Sequence, residues 1–306
     1  MVSRTARMQP SGKGARLGVL LGLALALSLV CALPAAAGEG TVSLRVCTYN
    51  VLRFQGWPED VAREQLGTAA SRRLAHFTDV FGGLDCDLLA IQEGGSQQWI
   101  DRLAANMGME ALFLPSPAEF PGGILSRHPI VEARPRQVAE RSWEVPFSRT
   151  FGAALVDVAG RPIWVVNLHA HPNREDLREQ EAHILADTLD ELLAVAPSAI
   201  VMGDFNSEPG GPLHEVLVER GFVNAVEAAW GRTVSTVNSP EGGVSSASID
   251  HIYLSADLAG HLVSARVVLE PGFMYPLMFG PDDWVHSDHL PVVAELEWVP
   301  AAASRQ

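Results

Sequence analysis

Lysine is almost missing: Lys13 is the single one in 306 residues, so nearly all positive charge is arginine. Positive charge as a whole is scarce, with 22 basic residues against 36 acidic ones. Four of the basic residues and none of the acidic ones lie in 1–37, so the remainder carries 18 against 36, a formal net charge of −18. A surface of that sign excludes binding to nucleic acid by bulk charge; a polyanionic substrate must be met by local arginines and a metal. Cysteine is sparse as well. Beyond Cys31 there are only Cys47 and Cys86, each in an apolar run, which excludes a disulfide-dense scaffold and predicts two buried thiols. Linkers, low-complexity stretches and internal repeats are absent. Residues 38–299 therefore read as one domain with a large core, and 300–306 as a frayed tail.

What is there starts with a leader. Arg4, Arg7, Lys13 and Arg16 precede an apolar run from Leu17 to Leu33, and Ala35-Ala36-Ala37 offers small residues for cleavage. This is the pattern of a secretory signal peptide over 1–37, so a secreted or periplasmic location is expected. The run is short for a membrane anchor and ends at Pro34.

Short strands alternate with helical patterns, which predicts an α/β fold. Strands are expected at Ser43 to Asn50, Asp87 to Glu93, Gly122 to Pro129, Phe151 to Val158, Pro162 to Leu168, Ala199 to Asp204 and Ser248 to Leu254, with a last strand pair around Ser287-Asp288-His289-Leu290-Pro291 that ends with Val292 to Trp298. Ala159-Gly160-Arg161 reads as a hairpin turn. One helix is expected over Glu59 to Phe81, stopped by Gly82-Gly83; another runs from a Ser96 cap to Met107, and a third follows an Asn173 cap. A short helix is expected near Leu213 to Glu219.

Strand after strand ends on a polar residue: Asn50, Glu93, His169, Asp204, Asn206, Asp250, Asp288 and His289. Each has a bland reading alone; Asp204-Phe205-Asn206, for instance, can simply close an Asx turn. Together they suit phosphoester hydrolysis, because ends of neighbouring strands converge on one edge of a sheet. A hard divalent cation takes carboxylate and amide oxygens, and it polarises a phosphoryl oxygen. A neutral histidine deprotonates water, and a buried aspartate fixes its tautomer; His289 and Asp250 fit those parts.

These pieces, in order, are Thr48-Tyr49-Asn50-Val51, Ile91-Gln92-Glu93, Ser126-Arg127-His128-Pro129-Ile130, Asn167-Leu168-His169, Gly203-Asp204-Phe205-Asn206, Ile249-Asp250-His251 and Ser287-Asp288-His289-Leu290-Pro291. The series resembles the endonuclease/exonuclease/phosphatase superfamily, which includes DNase I, neutral sphingomyelinases and inositol polyphosphate 5-phosphatases. The resemblance implies a four-layer α/β/β/α sandwich with two packed mixed sheets. It also implies Mg²⁺ or Mn²⁺ as cofactor, with Glu93 the principal ligand and Asn50 and Asp288 contributing. Asp204 and Asn206 would orient water and phosphate, Asp250 would support His289 as base, and His169 would bind phosphate or assist the leaving group. Leu52 stands where the exonuclease III-like branch carries an acid, and that branch lacks a histidine at the position of His169. The pattern is thus closer to the DNase I, sphingomyelinase and 5-phosphatase side.

Arg127, Arg149 and Arg174 are the candidate phosphate contacts. The stretch from Phe273 to Phe279 is rich in large apolar residues; it reads as a lip for a lipid tail or base, with peripheral membrane contact, or as a loop packed on its scaffold. No obligate protein partner is indicated. The substrate expected is a nucleic acid or a lipid or other small phosphodiester. The alternative is a non-catalytic secreted binding protein that keeps the fold.

Overall fold

The computed structural model describes residues 40–135 and 147–300. The expected leader, and the expected tail from residue 301 on, lie outside the described residues. The first part of the chain forms β1 (Val42–Asn50), α1 (Glu59–Leu66), α2 (Ala70–Leu84), β2 (Leu88–Gln92), α3 (Gln97–Met107), β3 (Glu110–Leu114) and β4 (Gly122–Ser126). The middle forms β5 (Ile130–Pro135), β6 (Thr150–Val158), β7 (Arg161–His169), α4 (Glu175–Val195) and β8 (Ala199–Asp204). The last part forms α5 (Pro212–Glu219), β9 (Val223–Asn224), α6 (Ala225–Trp230), β10 (Asp250–Leu254), α7 (Ala256–Ala259), β11 (Leu262–Val267) and β12 (Val292–Trp298).

Two six-stranded mixed sheets result, ordered β11-β12-β1-β2-β4-β3 and β5-β6-β7-β8-β10-β9. Strand side chains alternate between faces, and this alternation builds the layers. Leu44 and Val46 of β1 and Leu88 and Ala90 of β2 meet Ile163 and Val165 of β7 and Ile200 and Met202 of β8 in a core between the sheets. The alternate residues point outward. Cys47, Tyr49, Leu89 and Ile91 pack under Phe77 and Phe81 of α2 and Ile100 of α3. Trp164, Val166 and Val201 pack under Leu185, Leu189 and Leu192 of α4. The product is the four-layer α/β/β/α sandwich. Gly203 shows how tight it is: a Cβ there would stand 1.9 Å from the Leu168 carbonyl oxygen on the adjacent strand. Cys47 and Cys86 are buried free thiols, as the sequence suggested.

Several local expectations change. The single helix over 59–81 is two, broken at Gly67 with φ +73°. Gly82-Gly83 does not stop the second helix, which runs to Leu84 and ends on Asp85 in the left-handed region; Phe81 and Leu84 are buried against the sheet, and that packing carries the chain through two poor helix formers. Ser96 does occupy the N-cap of α3, yet its side chain makes no capping hydrogen bond. Arg174, not Asn173, is the N-cap of α4. Strands β3, β5, β9 and β11 were not expected; all four lie at sheet edges, and β5, β9 and β11 leave no continuous apolar run.

A polar cluster lies beneath β8 and β10, on their helix-facing side. His214 contacts the Tyr253 hydroxyl at 2.8 Å and the Ser207 carbonyl at 3.1 Å; His251 reaches the same carbonyl at 3.2 Å. Burial pushes His214 down to about 4 and His251 to about 3. Both are thus neutral in the folded protein, whereas the unfolded chain takes up protons below about pH 6.5. Stability is therefore complete above that pH and lost as pH falls toward 4, at about 1.4 kcal/mol per pH unit for each histidine. Urea midpoints between pH 7 and 4.5 are expected to fall steeply, and less steeply in His251→Gln. An unchanged slope in that variant would show that the acid sensitivity comes from elsewhere.

Candidate active site

The rows of side chains that fill the space between the sheets turn polar at one edge. In β1 the row Leu44, Val46 continues through Thr48 to Asn50; in β2 it continues to Gln92; in β7 it reaches Asn167 and His169; in β8 it ends on Asp204. Register then aligns the ends. His169 stands beside Asp204 across the parallel β7–β8 pair, and Asp250 faces Asp204 across the antiparallel β8–β10 pair. Behind them Gln92 Nε2 donates to Asn167 Oδ1 at 2.7 Å, and Asn167 Nδ2 donates to the Ile91 and Gly123 backbone carbonyls at 3.0 and 2.9 Å. This buried amide belt separates apolar core from site, and all of it is hydrogen-bonded.

Asp204 is the hub. Its Oδ2 accepts from Asn50 Nδ2 at 3.1 Å and lies 3.2 Å from His169 Nε2 and 3.8 Å from His289 Nε2; its Oδ1 accepts from the Asn206 backbone N–H at 2.9 Å. Asn50 Nδ2 also reaches Glu93 Oε1 at 3.4 Å, tying one sheet's carboxylate to the other's. Glu93 and Asn206 both have left-handed backbones, with φ of +55° and +48°, where the chain turns sharply out of its strand. Asn206 donates to the Ala170 carbonyl at 3.0 Å and so binds the loop after His169 to the loop after Asp204.

His289 Nδ1 lies 2.9 Å from Asp250 Oδ2. That bond leaves Nε2 directed at Asp204 and free to take a proton. The segment carrying His289 is not a strand, so it is fixed otherwise. Asn238 donates its backbone N–H to the Asp288 carbonyl at 2.7 Å, Leu290 donates to the Thr236 carbonyl at 2.8 Å, and Ser287 Oγ donates to the Asn50 carbonyl at 2.8 Å. Thr236 Oγ1 in turn accepts the Asp250 N–H at 3.1 Å.

On the other side of Asp204, Arg149 Nη1 stands 2.5 Å from His169 Nε2 and 3.7 Å from Glu93 Oε1. One imidazole nitrogen thus meets a guanidinium, which can only donate, and a carboxylate, which can only accept, while His169 Nδ1 is buried without a partner among the described residues. A phosphoryl oxygen between Arg149 and His169 relieves that conflict, since both groups can donate to it.

Charge follows geometry. Burial alone would raise the Asp204 carboxyl, but His169 and then His289 outweigh it and hold the group well below the usual carboxylate range. Burial raises Asp250 to about 6, with the charge of Asp204 adding and His289 opposing. Burial would lower His289, yet Asp250 and Asp204 together push it well above an ordinary imidazole. Of the carboxylates Glu93, Asp204, Asp250 and Asp288, Glu93 alone is paired with an arginine among the described residues, Arg149 at 3.7 Å, and Asp250 Oδ1 is buried there with no partner. Uncompensated carboxylate oxygen of this kind fits a hard divalent cation. One ligand atom each from Asp204, Asp250 and His289 lie within 4.8 Å of one another, but His289 Nδ1 is already engaged by Asp250.

Seven of the eight motif residues are thus joined by direct contacts, with Asp288 next to His289 in the chain and its Oδ1 accepting from Ser287 Oγ at 3.2 Å. Two of the three candidate arginines stand apart. Arg127 lies at the other end of the sheet, next to Ser126, which faces Leu88 at the start of β2; it pairs with Asp85 at 2.7 Å and Asp87 at 3.3 Å. Arg174 is exposed and closed on Asp176. Only Arg149 enters the site. Asn50 also differs from a simple metal ligand, because its oxygen accepts the Leu52 N–H at 3.1 Å and its nitrogen faces the carboxylates. In the loop after Pro271, Tyr275 is buried and Phe273 and Met274 pack on the core, whereas Leu277, Met278 and Phe279 are exposed at 75%, 92% and 44%.

Glu181 was not singled out from sequence. It is buried on α4, accepts from the Ser148 N–H at 3.0 Å and hydroxyl at 2.5 Å, and accepts the His171 N–H at 3.0 Å. It holds the residue before Arg149 and the residue two after His169. The signal was present: a carboxylate in the stripe Leu177, Glu181, Leu185, Leu189 of an amphipathic helix. Glu181→Ala is expected to lower kcat roughly tenfold by loosening Arg149 and His169, with Glu181→Gln recovering part of it. Wild-type kcat in the alanine variant, with an unchanged melting temperature, would remove Glu181 from this role.

Comparison with known structures finds the same architecture in several solved proteins. The mannosyl-6-phosphatase of Bacteroides thetaiotaomicron is 19% identical with a TM-score of 0.64, over 83% of this chain and 99% of that one. Truncated TDP2 of Caenorhabditis elegans is 17% identical with a TM-score of 0.60, over 85% and 99%. The 3′ phosphatase NExo of Neisseria, bound to a product DNA hairpin, is 18% identical with a TM-score of 0.60, over 83% and 100%. At such identities the likeness is one of fold. Comparison with curated proteins found no match. The profile of the endonuclease/exonuclease/phosphatase family matches residues 47–289, from the strand carrying Asn50 to His289 itself, and the chain belongs to that family.

Proposed function

We propose that the protein is a secreted, divalent-metal-dependent phosphodiesterase in which His289, backed by Asp250, activates water. The observation that carries this reading is the convergence of Asp250–His289 and Arg149–His169 on opposite sides of Asp204. His289 Nε2 takes the proton of the attacking water, and its Nδ1–H donates to Asp250, which keeps the tautomer. Asp204 orients the water and favours the charged imidazole as it forms. Arg149 and His169 hold the phosphoryl oxygens, and His169 is placed to protonate the leaving oxygen. Glu93, with Asp288, would hold Mg²⁺ or Mn²⁺, which would polarise the phosphoryl group and offset charge built up in the transition state, and Asn50 would orient the carboxylates through its amide nitrogen. A diester suits the site because it brings one negative charge into an acidic surrounding where a monoester brings up to two.

Phosphatase and DNA-bound relatives of the same fold support the phosphoester class and leave two substrate types, nucleic acid and a lipid or small diester. The exposed Leu277, Met278 and Phe279 are the part of their loop available to a lipid surface or an apolar leaving group. A panel of plasmid DNA, RNA, sphingomyelin, bis-p-nitrophenyl phosphate and a hexose 6-phosphate, each with Mg²⁺ or Mn²⁺, tests the reading. Diester turnover well above the monoester is expected. A preference for the hexose phosphate would replace diesterase with phosphatase, and no turnover at all would favour the non-catalytic binding protein.

A further inference from the structure

Phe120 lies beside the catalytic centre, and its chain neighbours Glu119 and Pro121 line a cavity. Its ring is edge-on to His169 at 6.1 Å, and two guanidinium groups stand over it, Arg149 at 4.2 Å and Arg53 at 4.7 Å. The separation of the two guanidinium carbons therefore cannot exceed the sum of those distances, about 9 Å. Arg149 belongs to the site already described. Arg53 does not. It lies three residues after Asn50, in a turn whose residues Leu52, Arg53 and Phe54 all have positive φ. Its backbone N–H donates to the Glu93 carbonyl at 3.1 Å, so its place is set by the same strand ends that build the site.

Beside Phe120 is a cavity of about 390 Å³, lined by Arg53, Ser96, Phe113, Pro115, Glu119 and Pro121 among others. Its walls are fastened to the centre: Gly94 donates to the Pro121 carbonyl at 2.8 Å, and Thr150, the residue after Arg149, donates its hydroxyl to the Phe120 carbonyl. The volume suits one ring-sized group and is too small for a duplex. Eight other arginines, Arg127 and Arg174 among them, are paired with carboxylates. Arg53, in a strongly acidic protein, is exposed at this rim with no carboxylate partner among the described residues. Glu119, also exposed, shares the wall.

We propose that Arg53 is a specificity-determining residue that receives a second phosphate of the substrate, while Arg149 holds the phosphate under attack. This rests on the phosphoesterase reading above and narrows it. The preferred substrate carries two phosphates within reach of the two arginines, joined by a ring-sized unit that enters the cavity beside Phe120. Neutral-headed lipid diesters, with one phosphate, are then poor substrates. The chemistry is shared by short single-stranded nucleotides and by sugar bisphosphates, which the test separates.

The test compares binding and turnover. Calorimetry at near-physiological salt measures thymidine 3′,5′-bisphosphate against thymidine 5′-monophosphate, and hexose 1,6-bisphosphate against hexose 6-phosphate. In the wild type, one of the two bisphosphates is expected to bind about tenfold or more tightly than its monophosphate, the scale of a charge-assisted hydrogen bond; which one does so identifies the source. Arg53→Gln is expected to erase most of that ratio, and Arg53→Lys to keep part of it. The kcat/KM ratio for a thymidine dinucleotide with and without a terminal 5′-phosphate should follow the same order if the nucleotide is the source. Equal affinity for both members of each pair in the wild type, or a ratio that survives Arg53→Gln, overturns the assignment. Binding is read without turnover, so an inactive protein that still shows the Arg53-dependent ratio refutes the hydrolase reading and leaves this one standing.

Discussion

Replacing His289 with alanine is expected to lower kcat by about 10²–10⁴, the scale on which a general base acts. The side chain is largely buried, its Nδ1 is engaged by Asp250 at 2.9 Å, and its Nε2 faces Asp204 at 3.8 Å. Asp250→Asn should act in the same direction, because an amide in that place no longer specifies which imidazole nitrogen carries the proton. A pH profile adds a readout that mere structural damage does not move. Asp250 and Asp204 raise the proton affinity of His289, and a protonated imidazole cannot accept a proton from water. Activity must therefore fall as pH drops through the raised value, so the acid limb lies above that of an ordinary histidine in the absence of a bound cation. A cation at Glu93 would draw the limb downward. Removing the charge of Asp250 draws it downward too, toward about pH 6.5. Near-normal kcat in both variants, with the limb unmoved, would assign the base to another group.

Chelation is the second large effect. Removal of divalent cations is expected to abolish turnover, and Mg²⁺ or Mn²⁺ to restore it. Glu93→Gln keeps the shape and removes the charge, and it should lower activity about 10³-fold, corresponding to several kcal/mol of transition-state stabilisation. Folding should survive that change. Among the described residues Glu93 has Asn50 at 3.4 Å and Arg149 at 3.7 Å as side-chain partners; the loss of its charge relieves repulsion in the acidic cluster, and Arg149, which gives up that ion pair, keeps its contacts with His169 and the Phe120 ring. The binding of Mn²⁺ to the wild type and to Glu93→Gln, followed directly, checks the assignment independently of rate. Full activity after verified metal removal would refute it.

Asn50, Glu93, His169 and Asp204 were legible because each closes or follows a short apolar strand, and a strand end is visible in sequence. Asp250 opens its strand and His289 lies outside the strands, so these two were found through the order of the motifs. The arginines were legible in neither way. Arg127, Arg149 and Arg174 look alike as exposed-type residues beside strand or helix termini, but only Arg149 enters the site, because its strand pairs with β7 so that Thr150 faces His169. Arg127 follows a strand running in the opposite sense and is carried to the far edge, onto Asp85 and Asp87. The loop from Phe273 to Phe279 divides in a similar way. Asn238 holds the Phe273 carbonyl at 2.9 Å and the Tyr275 N–H at 2.8 Å, which anchors the first half and leaves Leu277 to Phe279 outside.

Sequence by itself determined the alternation of strands and helices, the strand ends on which the chemistry sits, and the acidic balance that rules out binding by bulk charge. Those are local or additive properties, readable wherever periodicity and composition are strong. Tertiary structure alone decided which rows face the space between the sheets, and so brought Asn50 to Asp204 across 154 residues of chain and His289 to Asp250 across 39. It also decided the role of Glu181, buried on a helix yet bonded to the two loops beside Arg149 and His169, and it placed Arg53 over the same ring as Arg149. Such pairings depend on register and on the packing of one sheet against another. A slip of one residue in either strand would send each of these side chains to the opposite face.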